Sequence, residues 1–264
     1  MKHVFDGLKL FGGVLCMLCA SLNVSAEDTD LAKLFQERDV VGTIVISSLD
    51  GKTTYIHNLS RAEERFLPAS TFKIPNTLIA LDEGVIADEK EIIKWDGKDK
   101  GWKEWNTDQS FETAFPRSCV WFYQELAKRV GNERYVQHLH RIHYGNEQTG
   151  KEVTTFWLEG DLRISATEQI DFLKRVYTGE LPYTQPHLAL LKQLMIVEKT
   201  PQYTVRAKTG WTMRVTPQIG WYVGYVEVKG YPWFFATNID IIKEGDEKFR
   251  QEISREALRA KGIL

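Results

Sequence analysis

The constraint that weighs most on this chain is where its extended segments lie. One alternating pattern, "GTIVISSLDGKTTYIHN", starts at Gly42 and reads as a hairpin with Asp50-Gly51 as its turn. Three more segments rich in β-branched and aromatic residues, "YTVRAKTG", "IGWYVGYVEV" and "YPWFFATNIDI", come only after residue 202. From Glu112 to Tyr177 the patterns are mostly helical, and a further helix is expected near Gln185 to Met195. A mainly antiparallel sheet must then be assembled from both ends of the chain, around a helical insert. The expected class is α/β (α+β), with a helical lobe and a cleft between the lobes as the natural site. "STFKIPNTLIALDEG" reads as a helix stopped by Gly84 and bent by Pro75. "DGKDKGWKEWNTDQS" reads as a polar loop with aromatic anchors, and "EKFRQEISREALRAKG" as a closing amphipathic helix.

The chain has 264 residues with 43% hydrophobic content, enough for one large domain or two intimate lobes. Residues 1–26 read differently from the rest. Lys2 and Lys9 precede an apolar run from Leu10 to Ala20, and "VSA" offers small residues for cleavage after Ala26. This is the build of a secretory signal peptide, which places the mature domain at residues 27–264 in the periplasm. Cys16 and Cys19 fall in that leader, so Cys119 is left alone, without an internal disulfide, and is expected to face helix packing. A formal net charge of −2 gives no reason to expect nucleic acid or an anionic membrane as partner. No motif bears on oligomeric state.

"PASTFKIPN" carries the chemistry. Ser70 and Lys73 are three apart at the expected start of a helix, so they share a face about 5–6 Å apart at Cβ. At a helix start, free N–H groups favour a developing negative charge. Alone, the spacing is weak, because an N-capping serine followed by an exposed lysine produces it more often. Two further motifs follow in order, Ser118-Cys119-Val120 and Lys208-Thr209-Gly210. Ser-x-x-Lys and Lys-Thr-Gly are the paired signatures of penicillin-recognising serine enzymes. Gly210 is expected to let a substrate approach the strand edge closely.

Pro68-Ala69-Ser70-Thr71-Phe72-Lys73, Ser118-x-Val120, Tyr144-Gly145-Asn146, Phe156-Trp157-Leu158-Glu159-Gly160 and Lys208-Thr209-Gly210 together resemble the class D, oxacillinase-type, β-lactamases. The resemblance runs from about Val41 to the C-terminus. It is nearest to a subgroup with a short "TMRVTP"-like loop whose members often accept carbapenems. Val120 stands where related enzymes carry an amide. The resemblance implies the transpeptidase-like fold of penicillin-binding proteins, hydrolysis of β-lactams, and resistance to them. It implies that Ser70 is the nucleophile and that Lys73, carboxylated by carbon dioxide, is the general base, with no other cofactor and no metal. Val120, Phe72, Trp157 and Leu158 are expected to make the surroundings of Lys73 apolar, so that desolvation lowers its pKa.

The remaining roles follow from the same resemblance. The backbone N–H groups of Ser70 and Trp211 would form the oxyanion hole. The Trp157 indole would hydrogen-bond the carbamate. Ser118, assisted by Lys208 and itself expected to cap a helix, would pass a proton to the leaving nitrogen. Lys208, Thr209, Gly210 and Arg250 would hold the substrate, and Tyr144, in a turn that shapes the site, is counted with the substrate-binding residues. Arg214 is expected near the entrance. His138, His140 and His143 lack a metal-binding pattern and are expected to be surface or packing residues. Two other functions share these motifs: a β-lactam sensor that stays acylated, and a peptidoglycan DD-peptidase. A leader followed by a single domain argues against the first, and Val120 argues against the second.

Overall fold

The computed structural model describes Met1 and residues 27–264. The rest of the expected leader, residues 2–26, lies outside the described residues. The chain enters with helix α1 (Thr29–Gln36), whose start is capped by the Asp28 carboxylate. The hairpin β1 (Gly42–Ser48) and β2 (Thr54–His57) turns at Gly51, where φ is +71°. A short helix α2 (Leu59–Glu63) and a 3-10 turn over Ala69–Phe72 lead into α3 (Lys73–Asp82). The helical insert continues with α4 (Phe111–Ala114), α5 (Val120–Val130), α6 (Asn132–Ile142), α7 (Ala166–Thr178) and α8 (Gln185–Leu194). The chain then returns to the sheet as β3 (Ile196–Lys199), β4 (Tyr203–Trp211), β5 (Gln218–Val228) and β6 (Tyr231–Ile241), and closes with α9 (Phe249–Ala260).

The six strands lie in the order β2-β1-β6-β5-β4-β3, every neighbouring pair antiparallel. The N-terminal hairpin is thus sealed onto the C-terminal strands by β1–β6, with Val45 opposite Ala236. Side chains alternate across a strand. Ile44, Ile46 and Phe235 enter one core with α1 and α9, while Val45, Phe234 and Ala236 enter the other with the helical lobe. Both faces are covered, which is why β1, β5 and β6 are buried almost continuously instead of alternating.

Three expectations are corrected. Pro75, expected to bend the helix, falls in the first turn of α3, where its missing N–H costs little; Ser70 stands at the helix start as expected, in the 3-10 turn that leads into α3. Cys119, not Ser118, is the cap of α5, and Ser118 takes φ +54°. Tyr144-Gly145-Asn146 is a structural clasp. Tyr144 is fully buried, edge-on to Phe172 with ring centroids 5.0 Å apart. The Asn146 amide donates to the Asp161 carbonyl at 2.8 Å, and its oxygen accepts from Arg163 N–H at 2.8 Å. The clasp folds residues 144–164 into a closed loop, and a two-way backbone bridge between Phe66 and Ile164 ties that loop beside Ser70.

Gly145 has φ +57°, and a Cβ there would sit 2.0 Å from the Arg163 carbonyl oxygen. Gly145→Ala must therefore open the clasp. It should lower the urea unfolding free energy by about 1–3 kcal/mol, the usual cost of strained backbone. An unchanged urea midpoint would show that the clasp carries no stability.

Candidate active site

The 3-10 turn bearing Ser70 is held from four sides. The Trp221 indole N–H, from β5, donates to the Leu67 carbonyl at 2.9 Å. Ala69 N–H donates to the Trp157 carbonyl at 2.9 Å, with Ala69 itself at φ +47°. Thr71 Oγ1 donates to the Pro68 carbonyl at 2.7 Å and accepts from Gln169 Nε2 of α7 at 2.9 Å. The fourth side is β4. A Cβ on Gly210 would lie 2.9 Å from the Pro68 carbonyl and 3.1 Å from Thr71 Cγ2. The glycine therefore admits the serine turn itself against the strand. This differs from the expected approach of substrate, although Gly210 also lines the cavity.

Lys73 Nζ donates to Ser70 Oγ at 2.8 Å. The lysine is fully buried, and burial pulls its pKa down from 10.5 to about 7. No salt bridge holds it among the described residues. Beyond the serine hydroxyl, the ammonium has only the Tyr123 ring, 5.1 Å away, in partial compensation; the neighbouring Cys119 thiol is uncharged at neutral pH. Tyr123 and Cys119 were not anticipated from sequence as neighbours of Lys73. Phe72 sits in an aromatic cluster with Tyr135, Tyr144, Phe156 and Trp157, at centroid distances of 5.1–6.2 Å. Trp157 is fully buried and its indole nitrogen has no hydrogen-bond partner. A buried donor without an acceptor is uncommon and marks a place for one.

Above Ser70 opens a cavity of about 590 Å³. Ser118, Val120, Leu158, Thr209, Trp211 and Arg250 line it, with Trp102, Trp105 and Met213 toward the mouth. Ser118 Oγ accepts from Lys208 Nζ, and the lysine also reaches the Thr209 carbonyl at 3.3 Å. Burial first, then the charges of Lys73 and Arg250, push the Lys208 pKa well down. Arg250 is held at about 10 by burial and so stays charged at neutral pH. Its Nε and Nη1 have no partner, and its Cζ lies 5.9 Å from the Trp211 ring. Just past the end of β4, Thr212 N–H donates to the Ile219 carbonyl of β5, while within β4 Ala207 N–H donates to the Met195 carbonyl on the opposite side. Amides alternate in an antiparallel ladder. Trp211 N–H is therefore turned away from β5, toward the part of the β4 edge that β3 leaves uncovered, where the Ser70 turn packs.

Residues 40–259 match the family profile of the penicillin-binding protein transpeptidase domain. The chain is 43% identical over 230 residues to β-lactamase OXA-48 of Klebsiella pneumoniae, covering 87% of each chain. Among solved structures it resembles the class D β-lactamase YbXI from Nostoc, with TM-score 0.87 and 45% identity over 89% of this chain and 99% of that one. It also resembles the class D β-lactamase FUS-1 (OXA-85) from Fusobacterium nucleatum subsp. polymorphum, with TM-score 0.88 and 34% identity over 90% and 100%. The chain belongs to the class D β-lactamases.

Within that family frame, Tyr144 is corrected: it is sealed beneath Phe72 and does not reach the cavity. Cys119 is fully buried, its thiol pushed up to about 11 by burial, and it does not line the cavity. Arg214 does reach the cavity mouth, where it pairs with Glu159 at 3.0 Å. His138 is buried and bonded to Glu83 at 2.7 Å, whereas exposed His140 and His143 both face Glu147. Among the described residues no group of three or more metal-binding side chains converges. Nor is any helix among them long and apolar enough to cross a membrane.

The buried amine sets a stability trend. Folded Lys73 loses its proton near pH 7, against 10.5 for an exposed lysine. Between those values the unfolded chain binds more protons, so stability rises with pH across the window. Lys73→Met keeps the volume and removes the cost. In buffer stripped of carbon dioxide its melting temperature should exceed wild type by more than about 3 °C at pH 6.5. The gap should shrink toward pH 10. A lower melting temperature for the variant at pH 6.5 would refute the cost assigned to the amine.

Proposed function

We propose that this protein hydrolyses β-lactam antibiotics through a Ser70 acyl-enzyme and thereby confers resistance. The observation that carries the reading is the 2.8 Å contact between Ser70 Oγ and a fully buried lysine amine with no carboxylate partner, at the floor of a cavity. Ser70 attacks the lactam carbonyl, and the carbonyl oxygen is met by the N–H groups of Ser70 and Trp211. Ser118 delivers a proton to the departing ring nitrogen, replenished from Lys208. Arg250, with Thr209, takes the substrate carboxylate.

A base is still required, because an ammonium cannot accept the serine proton. An amine with a pKa of about 7 is substantially neutral at physiological pH, and a neutral amine reacts with carbon dioxide. The unpaired Trp157 indole supplies the donor that a carboxylated Lys73 would need. Carboxylation gives Lys73 an anionic oxygen base that serves both acylation and deacylation. The periplasmic location rests on the leader-like residues 1–26, and recovery of exported protein beginning at Glu27 is its test. The short-loop resemblance extends the substrate proposal to carbapenems, and absence of imipenem turnover beside active oxacillin turnover removes that extension.

Turnover of nitrocefin and benzylpenicillin by the purified mature chain tests the central reading. A persistent acyl adduct would make the protein a sensor, and cleavage of a D-Ala-D-Ala peptide in its place would make it a peptidase. For the base, activity should fall as pH drops below about 7 in carbon-dioxide-depleted buffer and recover on adding bicarbonate, because protonation removes the neutral amine. Fully active enzyme without a carbamate signal in carbon-13 NMR under labelled bicarbonate would refute carboxylation. Arg250→Ala should lower kcat/KM for penicillins by about 30-fold or more, as for loss of one partner of a desolvated charge pair. Unchanged kcat/KM would remove Arg250 from the site.

A further inference from the structure

Four cations line the cavity, and two of them are already paired: Lys100 with Asp96 at 2.7 Å, and Arg214 with Glu159 at 3.0 Å. Arg250 and Arg117 have no carboxylate within salt-bridge distance among the described residues. They stand on opposite lobes. Arg250 comes from the first turn of α9, on the sheet side, and Arg117 from the turn between α4 and α5, on the helical side. Arg117 has an exposed side chain but a fixed backbone. Its carbonyl accepts from the Trp105 indole N–H at 2.9 Å, and the Trp105 carbonyl in turn accepts from the Trp121 indole at 2.7 Å. The next residue, Ser118, turns inward to Lys208 at φ +54°. Two consecutive side chains thus divide the work, one at the reacting centre and one on the outer wall.

We propose that Arg117 forms a second anion subsite, which favours β-lactams carrying an additional carboxylate on the acylamido side chain. This rests on the hydrolase reading above. With the ring carboxylate taken by Arg250 and the lactam at Ser70, the rest of the substrate must occupy the remaining cavity, between Leu158 and the wall made by Trp102, Trp105 and Arg117. Apart from Glu104 and the already paired Lys100 the residues there are apolar, so a carboxylate entering has Arg117 as its unpaired counter-charge. Glu104 also lines the cavity and is the carboxylate that opposes this preference. An exposed charge pair of this kind changes a rate or affinity by about twofold to fivefold, and salt screens it.

Benzylpenicillin and carbenicillin differ by one side-chain carboxylate, so the ratio of their kcat/KM values isolates the subsite. Arg117→Gln should lower the carbenicillin-to-benzylpenicillin ratio about twofold to fivefold, with benzylpenicillin hydrolysis itself little changed. Arg117→Lys should hold the wild-type ratio, and Glu104→Gln should raise it. Added salt should shrink the difference between wild type and Arg117→Gln. An unchanged ratio in Arg117→Gln overturns the subsite, as does an equal loss for both penicillins, which would assign Arg117 to shaping the Ser118 turn. Wild-type enzyme that opens neither penicillin would overturn the hydrolase reading, and the subsite with it.

Discussion

A lysine amine with no exposure and a single hydroxyl partner is the most demanding arrangement in this molecule. Burying an ionisable group away from water and from any counter-charge is costly, and the group responds by giving up its charge. The surrounding fold keeps that cost from being relieved. Lys73 is fully buried, with the α5 residue Tyr123 over its amine, and Phe72 and Trp157 belong to the same tightly buried helical-lobe core. The serine turn cannot drift toward solvent, because β4, β5, α7 and the Trp157 loop each bind it separately. Some backbone strain is held at the same place: Ala69 and Ser118 are both non-glycine residues at positive φ.

This explains why the sheet is closed by both termini. Ser70 follows the N-terminal hairpin, whereas Lys208, Trp211 and Arg250 arrive from the C-terminal part of the chain. Pairing β1 with β6 fixes the hairpin, and so the segment leading to Ser70, relative to β4 and α9. The helical insert then lowers Ser118 and Trp157 onto the opposite side. A site whose parts are 180 residues apart in sequence can keep contacts near 3 Å only on a framework packed on both faces.

The parts that were legible from sequence are those with a strong local signal. The hairpin, the three long C-terminal strands and α9 each carry a period or turn chemistry of their own, and the order of the motifs exposed the serine chemistry. Short elements escaped. β3 has four residues with only half-buried contacts, and α2 has five. The placement of Ser70 in a 3-10 turn depends on Gly210 and Trp221, which press on it from β4 and β5, so the helical propensity of "STFKIPNTLIALDEG" could not reveal it. Tyr123 beside Lys73 is likewise a matter of how α5 rotates against α3. Arg250 has no local signal in "EKFRQE"; only its unpaired, burial-shifted guanidinium marks it out.

The charges in the cavity are mutually dependent, and that dependence orders the chemistry. Lys208 is driven toward its neutral form by burial and, after that, by positive charge on Lys73 and Arg250. Neutralising Lys73 removes one of those influences. Converting it to an anion, as proposed, reverses the influence and favours the ammonium of Lys208. A substrate carboxylate at Arg250 acts in the same direction by compensating the second positive charge. Lys208 would therefore be best able to supply a proton through Ser118 when the base is formed and the substrate is bound. On that proposal the proton donor is readied by formation of the base and by binding of substrate, and this coupling needs no movement of the fold, only the low dielectric that the buried lysines already share.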